Sequence, residues 1–291
     1  MRYEDILNQI VWSFSSVSSY ENCPFGFKLA RLVRDKNGKP LTKVENAFGL
    51  WGSFMHHLFE LYFTGKVDFF ELSEIYEEDY QDQVNLEFPP NRYVDLNEKY
   101  YEAGRTYWDF YEGLSEQYEV IGVELKAQMK INGRPFVGYI DLVLRDKQDG
   151  KLLVYDHKSK SKFTSKKELA EYARQLYLYA EYVKQAFGEY PKALVFNMFR
   201  AGEIVLIDFD QADCEEAKKW FSDTIDAIYA DSAFEDKIER SYRESHKSLE
   251  SFSRNDFFCN ELCGVREHCK RSKGLKDKDA EVYRRRADPI A

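Results

Sequence analysis

Asp156 and Lys158 stand two residues apart in "LLVYDHKSK", so on an extended strand their side chains project to the same side of a sheet. Asp141 lies in the preceding apolar run, "GYIDLVL". It joins that side if the register sets it opposite Asp156 or two residues along, and a slip of one residue turns it away. The intervening "RDKQDG" is long enough to leave the register open. Taken singly, each aspartate reads as a strand-end residue near solvent. Among Ile140, Leu142, Val143, Leu144, Leu152, Leu153 and Val154, however, three unpaired buried charges would be very unfavourable, so they need a cation or one another. Two carboxylates suit a hard ion such as Mg²⁺, whose remaining positions take water and a substrate phosphate. The ion lowers the pKa of water and offsets charge on the phosphate. An ammonium group beside it can orient the water or stabilise the charged transition state. That division of labour fits hydrolysis of a phosphodiester.

The elements that must hold these groups follow from periodicity and breakers. Residues 119–130 and 136–158 read as three successive strands, the last two joined through "RDKQDG". "SKKELAEYARQLYLYAEYVKQAFG" opens with Ser165 and Glu168 at capping-box spacing and runs as a helix to Gly188. "KALVFNMFR" and "EIVLIDF" read as two more strands, and a helix follows over about 211–230. Upstream, "SSVSSYENCPFGFKLARLVRD" reads as a capped helix interrupted near Cys23-Pro24, because a residue before proline disfavours the helical region. "GLWGSFMHHLFELYFTG" suggests a helix from near Trp51 to before Gly65, and 97–116 another. Helices, three strands, a helix, two strands and a helix make an α/β domain with a mixed sheet flanked by helices. The very polar residues 271–291 are expected to form a flexible tail.

The chain of 291 residues, 44% hydrophobic and 16% aromatic, is long enough for a sizeable core and too apolar for disorder. No apolar run approaches a membrane span and no signal peptide is apparent at the N-terminus, so a cytoplasmic protein is expected. The net charge of −9 gives no support to nucleic-acid binding by overall charge. A protein acting on nucleic acid with this balance must rely on local basic patches and metal ions. "KSKSKFTSKK" at 158–167 is the best such stretch, although it reads equally well as a solvated loop. The five cysteines are Cys23, Cys214, Cys259, Cys263 and Cys269. In a reducing cytosol the C-terminal trio suggests a metal or iron–sulfur site more than disulfides. Cys214 reads as a small packed residue of its helix. The Gly-Lys pairs at Gly38, Gly65 and Gly150 are followed by Pro40, Val67 and Leu152, so no P-loop is present.

"GYIDLVL … LLVYDHKSK" resembles the catalytic hairpin of the PD-(D/E)XK nuclease superfamily, with Asp141 as the first acid and Asp156-His157-Lys158 as the (D/E)-x-K element. "GSFMHH" is similar to the G-x-x-x-H helix of its RecB-like branch, which implies His56 as a metal ligand beside the two acids. "QLYLY" resembles the branch's Q-x-x-x-Y motif, where Gln175 and Tyr179 share a helix face and help organise the site and contact DNA. Family members often carry a further acid on the preceding strand, which points to Glu124. "SSYENCPFGF" and "CNELCGVREHC" are similar to the cysteine elements of iron–sulfur RecB-like nucleases such as the CRISPR-associated exonucleases and the AddB nuclease domain. The resemblance implies that Cys23, Cys259, Cys263 and Cys269 hold a [4Fe–4S] cluster. The family spacing is more often C-x2-C-x5-C, and the first gap of three here leaves tetrahedral zinc open.

The resemblance covers residues 13 to about 270. It implies a restriction-endonuclease-like core over about 119–230 within a single domain of residues 1–270, with a helical N-terminal region and a cysteine-cluster region formed by Cys23 and 259–269. The implied activity is a Mg²⁺- or Mn²⁺-dependent DNA nuclease, an exonuclease on single strands or DNA ends. Lys158, Asp156, Asp141, Gln175 and Tyr179 would be catalytic, and His56, Asp141, Asp156 and Glu124 metal ligands. DNA is the implied partner, with recombination, repair or CRISPR-adaptation proteins beside it and no membrane. The rival is a catalytically inactive DNA-binding or scaffolding subunit that keeps the nuclease fold.

Overall fold

The computed structural model describes residues 3–235 and 257–269 of the chain. The expected tail at 271–291 lies outside the described residues. In chain order the helices are α1 Tyr3–Leu7, α2 Phe14–Asn22, α3 Pro24–Arg31, α4 Ala47–Phe63, α5 Leu72–Gln83 and α6 Leu96–Asp109. Strands β1 Tyr118–Ile131, β2 Arg134–Asp146 and β3 Leu152–His157 follow, then α7 Lys166–Phe187, β4 Ala193–Met198, β5 Glu203–Asp208 and α8 Gln211–Ala230. Two compact units divide the chain: Met1–Ile10, Ser15–Asn46 and Asp223–Ala291 belong to one, Val11–Phe14 and Ala47–Ser222 to the other. Among the described residues no helix is long and apolar enough to cross a membrane.

The larger unit holds one sheet in the order β1-β2-β3-β4-β5. Every neighbouring pair is antiparallel except β3 and β4, which are parallel and joined through α7. Parallel neighbours need such a crossover. β3 is buried along its length, with Leu152, Leu153 and Val154 no more than 2% exposed, and side chains of this kind stabilise by about 1.5–3 kcal/mol each when fully buried. On one face Leu142, Leu144, Leu153, Ala193 and Val195 pack with Phe63, Tyr118 and Val123. α7 packs against β1, β3 and β4, and α4, α5 and α6 share a core of Trp51, Phe54, Met55, Leu58, Phe59, Tyr76 and Trp108.

Local chemistry explains most boundaries. Ser165 caps α7 by accepting from the Glu168 amide at 3.1 Å. The Glu168 carboxylate does not complete the box on Ser165. It takes the Thr164 amide and hydroxyl at 2.6 and 2.7 Å and pairs with Lys160 at 2.7 Å. Those bonds hold its pKa down at about 2, Lys160 being the largest cause. The basic stretch is therefore partly neutralised by the glutamate that directly follows it. α6 stops at Asp109, short of the expected 116, and Gly113 beyond it takes φ +79°, a left-handed conformation that suits glycine. α4 starts at Ala47, four residues before the expected Trp51. α5 was not expected, although Leu72, Tyr76 and Tyr80 form its buried stripe at helical spacing.

In the smaller unit the Cys23-Pro24 break falls as expected. Cys23, extended at φ −154°, caps α3, and its Sγ accepts from the Gly26 amide at 3.2 Å. The C-terminal cysteine segment is tied to residues 42–45. The Val44 amide donates to the Gly264 carbonyl at 2.7 Å, Arg266 to the Glu45 carbonyl at 3.2 Å and His268 Nε2 to the Thr42 carbonyl at 3.0 Å.

Candidate metal centre

The β2–β3 register pairs Leu142 with Tyr155, Val143 with Val154 and Leu144 with Leu153. One step further along this ladder sets Asp141 beside Asp156. On the other side, Val123 pairs with Leu142 and Leu125 with Ile140, which brackets Glu124 next to Asp141. Three carboxylates thus lie abreast on three adjacent strands. Glu124 sits there at φ +46°, a region costly for a residue with a Cβ and one that clusters at functional sites.

His56 enters from α4. Its Nε2 donates to the His157 carbonyl at 2.9 Å, and a carbonyl can only accept, so this bond fixes the tautomer and leaves Nδ1 with a lone pair. Nδ1 points to Asp141 Oδ2 at 3.6 Å. His56, Glu124 and Asp141 each offer a ligand atom within 4.8 Å of the others. His157 orients two of these groups through its backbone: its carbonyl holds His56, and its amide donates to Asp141 Oδ2 at 2.6 Å. Its ring turns to the other face, stacked on Phe59 at 3.9 Å with the planes 6° apart. Asn197 Nδ2 donates to His157 Nδ1 at 3.1 Å and to the Tyr107 hydroxyl at 2.9 Å.

Lys158 sits beside the acids. Its Nζ is 2.6 Å from Asp156 Oδ2, although that oxygen lies off the direction of a hydrogen bond. Nζ donates to Gln175 Oε1 at 3.0 Å, and Gln175 Nε2 donates to the Tyr179 hydroxyl at 3.0 Å. The Lys158 amide donates to the Asn197 carbonyl at 2.8 Å, which anchors it to β4.

Electrostatics agree with a site built for a cation. Burial, then the nearby Asp156, push the Asp141 carboxyl well above the usual range. Burial, Glu60 and Asp156 raise that of Glu124. Burial depresses the His56 pKa, favouring the neutral imidazole a metal requires. A divalent ion would relieve the crowding of acids by adding the missing positive charge.

The PD-(D/E)XK nuclease superfamily model matches residues 11–270. The chain belongs to that superfamily. A comparison with curated proteins finds no match. The mixed five-stranded sheet with its flanking helices is the restriction-endonuclease-like core. PD-(D/E)XK nucleases use divalent metals, and the oxygen and imidazole donors of His56, Glu124 and Asp141 fit such an ion.

Of the residues singled out in the sequence, His56, Glu124, Asp141, Asp156, Lys158, Gln175 and Tyr179 come together here. The structure adds Gly138, His157, Asn197 and Tyr107 around them. Gly138 lies in "GYID", and a Cβ there would come within 2.5 Å of Tyr179 Cε1 and 3.2 Å of its hydroxyl. Gly138→Ala in this nuclease is therefore expected to push Tyr179 off Gln175 and to cost about 1–3 kcal/mol of stability. Urea unfolding measures the cost, and a variant as stable as the parent would contradict the contact.

Cys23, Cys259, Cys263 and Cys269 lie in the other unit, and Cys214 in the same unit as the metal centre. Burial first, then Cys23 and Cys269, raise the Cys263 thiol above its ordinary value, so three thiols share a neighbourhood. Cys259 lies in the turn Phe258–Leu262, and the Cys263 amide donates to the Phe258 carbonyl at 2.7 Å. Cys214 is buried and donates to the Tyr177 carbonyl at 3.5 Å, and burial lifts its pKa to about 12.

Proposed function

We propose that the protein is a DNA nuclease of the RecB-like branch, an exonuclease on single strands or DNA ends, dependent on Mg²⁺ or Mn²⁺. What supports this reading is the placing of His56, Glu124 and Asp141 with ligand atoms within 4.8 Å of one another, beside an Asp156–Lys158 pair at 2.6 Å. His56, Asp141, Asp156 and Glu124 would hold the ion. When bound, it supplies Lewis acidity towards water and phosphate. Lys158 sets a positive charge where a scissile phosphate gains negative charge. Gln175 orients the ammonium group, Tyr179 orients Gln175, and the His157 backbone keeps His56 and Asp141 at their stations.

Residues 1–270 work as one nuclease domain in this proposal, with Cys23, Cys259, Cys263 and Cys269 holding a [4Fe–4S] cluster as a structural staple. Supporting the staple role, the four thiols come from chain segments that belong to one compact unit, and closing a loop of that length restricts the unfolded chain strongly. Such a thiol set belongs in a reducing compartment, the cytoplasm.

The test is digestion of 5′- and 3′-labelled single- and double-stranded DNA with and without Mn²⁺. Mn²⁺-dependent shortening of the single strand from an end is expected. Intact DNA under all conditions, with binding retained, would replace the enzyme by a DNA-binding subunit.

A further inference from the structure

A cavity of about 520 Å³ opens in the larger unit, between the C-terminal half of α6 and the turn after β4, a size within the usual range for small-molecule sites. Tyr107, Phe110, Tyr111 and Phe199 line it together with Lys99 and Arg200. Phe110 is 79% exposed. Its ring is therefore open to a ligand arriving from solvent, in a wall that holds three further aromatic rings. The cationic residues are balanced by Glu102 and Glu112 on the same wall. A phosphate would meet no net positive charge here, whereas a flat, neutral ring with polar edges meets stacking surfaces and hydrogen-bonding groups.

Two direct links join this cavity to the metal centre. Phe199 lines it and packs edge-on against the His56 ring, with centroids 6.2 Å apart. Tyr107 lines it and accepts from Asn197, whose carbonyl holds the Lys158 amide. Both walls therefore stand at the carboxyl edge of the parallel pair β3 and β4, where α/β sheets place their ligands. The cavity and the metal centre thus share Phe199 and the Asn197 network as a common wall.

We propose that this cavity is a nucleobase subsite, taking one unstacked base of the strand cut at the metal centre, with Phe110 as its stacking platform. The proposal rests on the nuclease reading for the strand that is bound and makes single-stranded DNA the substrate class, since bases inside a duplex are unavailable for stacking on protein.

The experiment uses the full chain with Ca²⁺ in place of Mn²⁺ and short single strands carrying 2-aminopurine at each position in turn. Quenching of the probe is expected at one position and is lost in Phe110→Ala. It returns in Phe110→Trp, which keeps an aromatic face. With Mn²⁺, Phe110→Ala is expected to raise KM for single strands about tenfold, in line with the ~1–3 kcal/mol of one base–aromatic stack, and to move kcat much less. An abasic residue at the quenched position should erase the difference between the variant and the parent. Phe110 is exposed, so loss of fold does not confuse the readout, and thermal melting of each variant checks it. Quenching that depends on Phe110 without any cleavage would sustain the subsite and sink the nuclease reading. Cleavage by the parent with no quenching that depends on Phe110, or with Phe110→Ala indistinguishable from it on intact DNA, would overturn the subsite and leave the nuclease standing.

Discussion

Replacing Lys158 with alanine is expected to lower Mn²⁺-dependent DNA cleavage by about 10²–10³-fold, the usual cost of removing one group that stabilises developing charge. The same change leaves Asp156, whose side chain is 3% exposed, without the ammonium group that sits 2.6 Å away. Stripping one partner from a buried pair costs up to about 3–5 kcal/mol, and Lys158 itself is 20% exposed, which places the loss toward the lower end of that scale. Both effects must be measured: single-turnover cleavage for the first, and thermal melting with and without Mn²⁺ for the second. An added divalent cation supplies the missing positive charge, so it should stabilise the variant more than the parent. Lys158→Gln, neutral and longer than alanine, fills more of the space beside Asp156 and Gln175 and should recover part of the stability without recovering rate. Cleavage at the parental rate in Lys158→Ala would remove this residue from the chemistry.

Asp141→Asn should separate charge from shape. The amide oxygen can still accept the His157 amide that Asp141 Oδ2 holds at 2.6 Å, so the β2–β3 end keeps its geometry. Burial and neighbouring acids raise the Asp141 pKa in the folded chain. The sign follows: where the carboxyl is ionised in both states, its negative charge is less welcome in the folded one, and neutral pH carries a penalty that the amide removes. Without metal the variant is therefore expected to melt no lower than the parent. With metal the order reverses: losing a partner that merely orients a ligand costs about 10- to 100-fold in affinity, and the charge of a direct ligand is expected to cost at least as much. Calorimetric titration with Mn²⁺ reads the affinity. Parental affinity in Asp141→Asn would mean the ion, if bound, sits elsewhere.

The strands carrying Asp141, Asp156 and Lys158 were legible because their apolar runs and two-residue alternation are local properties. Their register was not, because the turn that sets it is secured from outside the hairpin. Lys192 pairs with Asp146 and Asp149 at 2.7 and 2.8 Å, and the Asp146 amide reaches the Lys151 carbonyl at 2.9 Å. The spacing of Gln175 and Tyr179 puts them on one helix face, but it was the resemblance to Q-x-x-x-Y that singled them out for the site. Glu124 stood out only by resemblance, since its left-handed backbone has no signature in a run of strand-forming residues. His157 gave no signal at all: it works through its peptide group, and its ring is an aromatic contact of Phe59. Asn197 and Tyr107 reach it through bonds spanning 40 and 90 residues, beyond any window of local pattern. The acidic composition of "LSEIYEEDYQDQ" masked α5, whose three buried side chains are the visible part of its stripe.

The bonds that hold the centre differ in how far along the chain they reach. Asp141 to His157 spans 16 residues and Lys158 to Gln175 spans 17, whereas His56 to His157 spans 101. Short spans close early in folding and long ones late, because the entropy of bringing distant segments together must be met first. The acids and the ammonium group can thus gather while the chain is still incomplete, but the imidazole arrives only with the docking of α4. In the centre proposed above, a copy whose α4 has not docked lacks the His56 imidazole, so metal affinity there is tied to the closing of this unit.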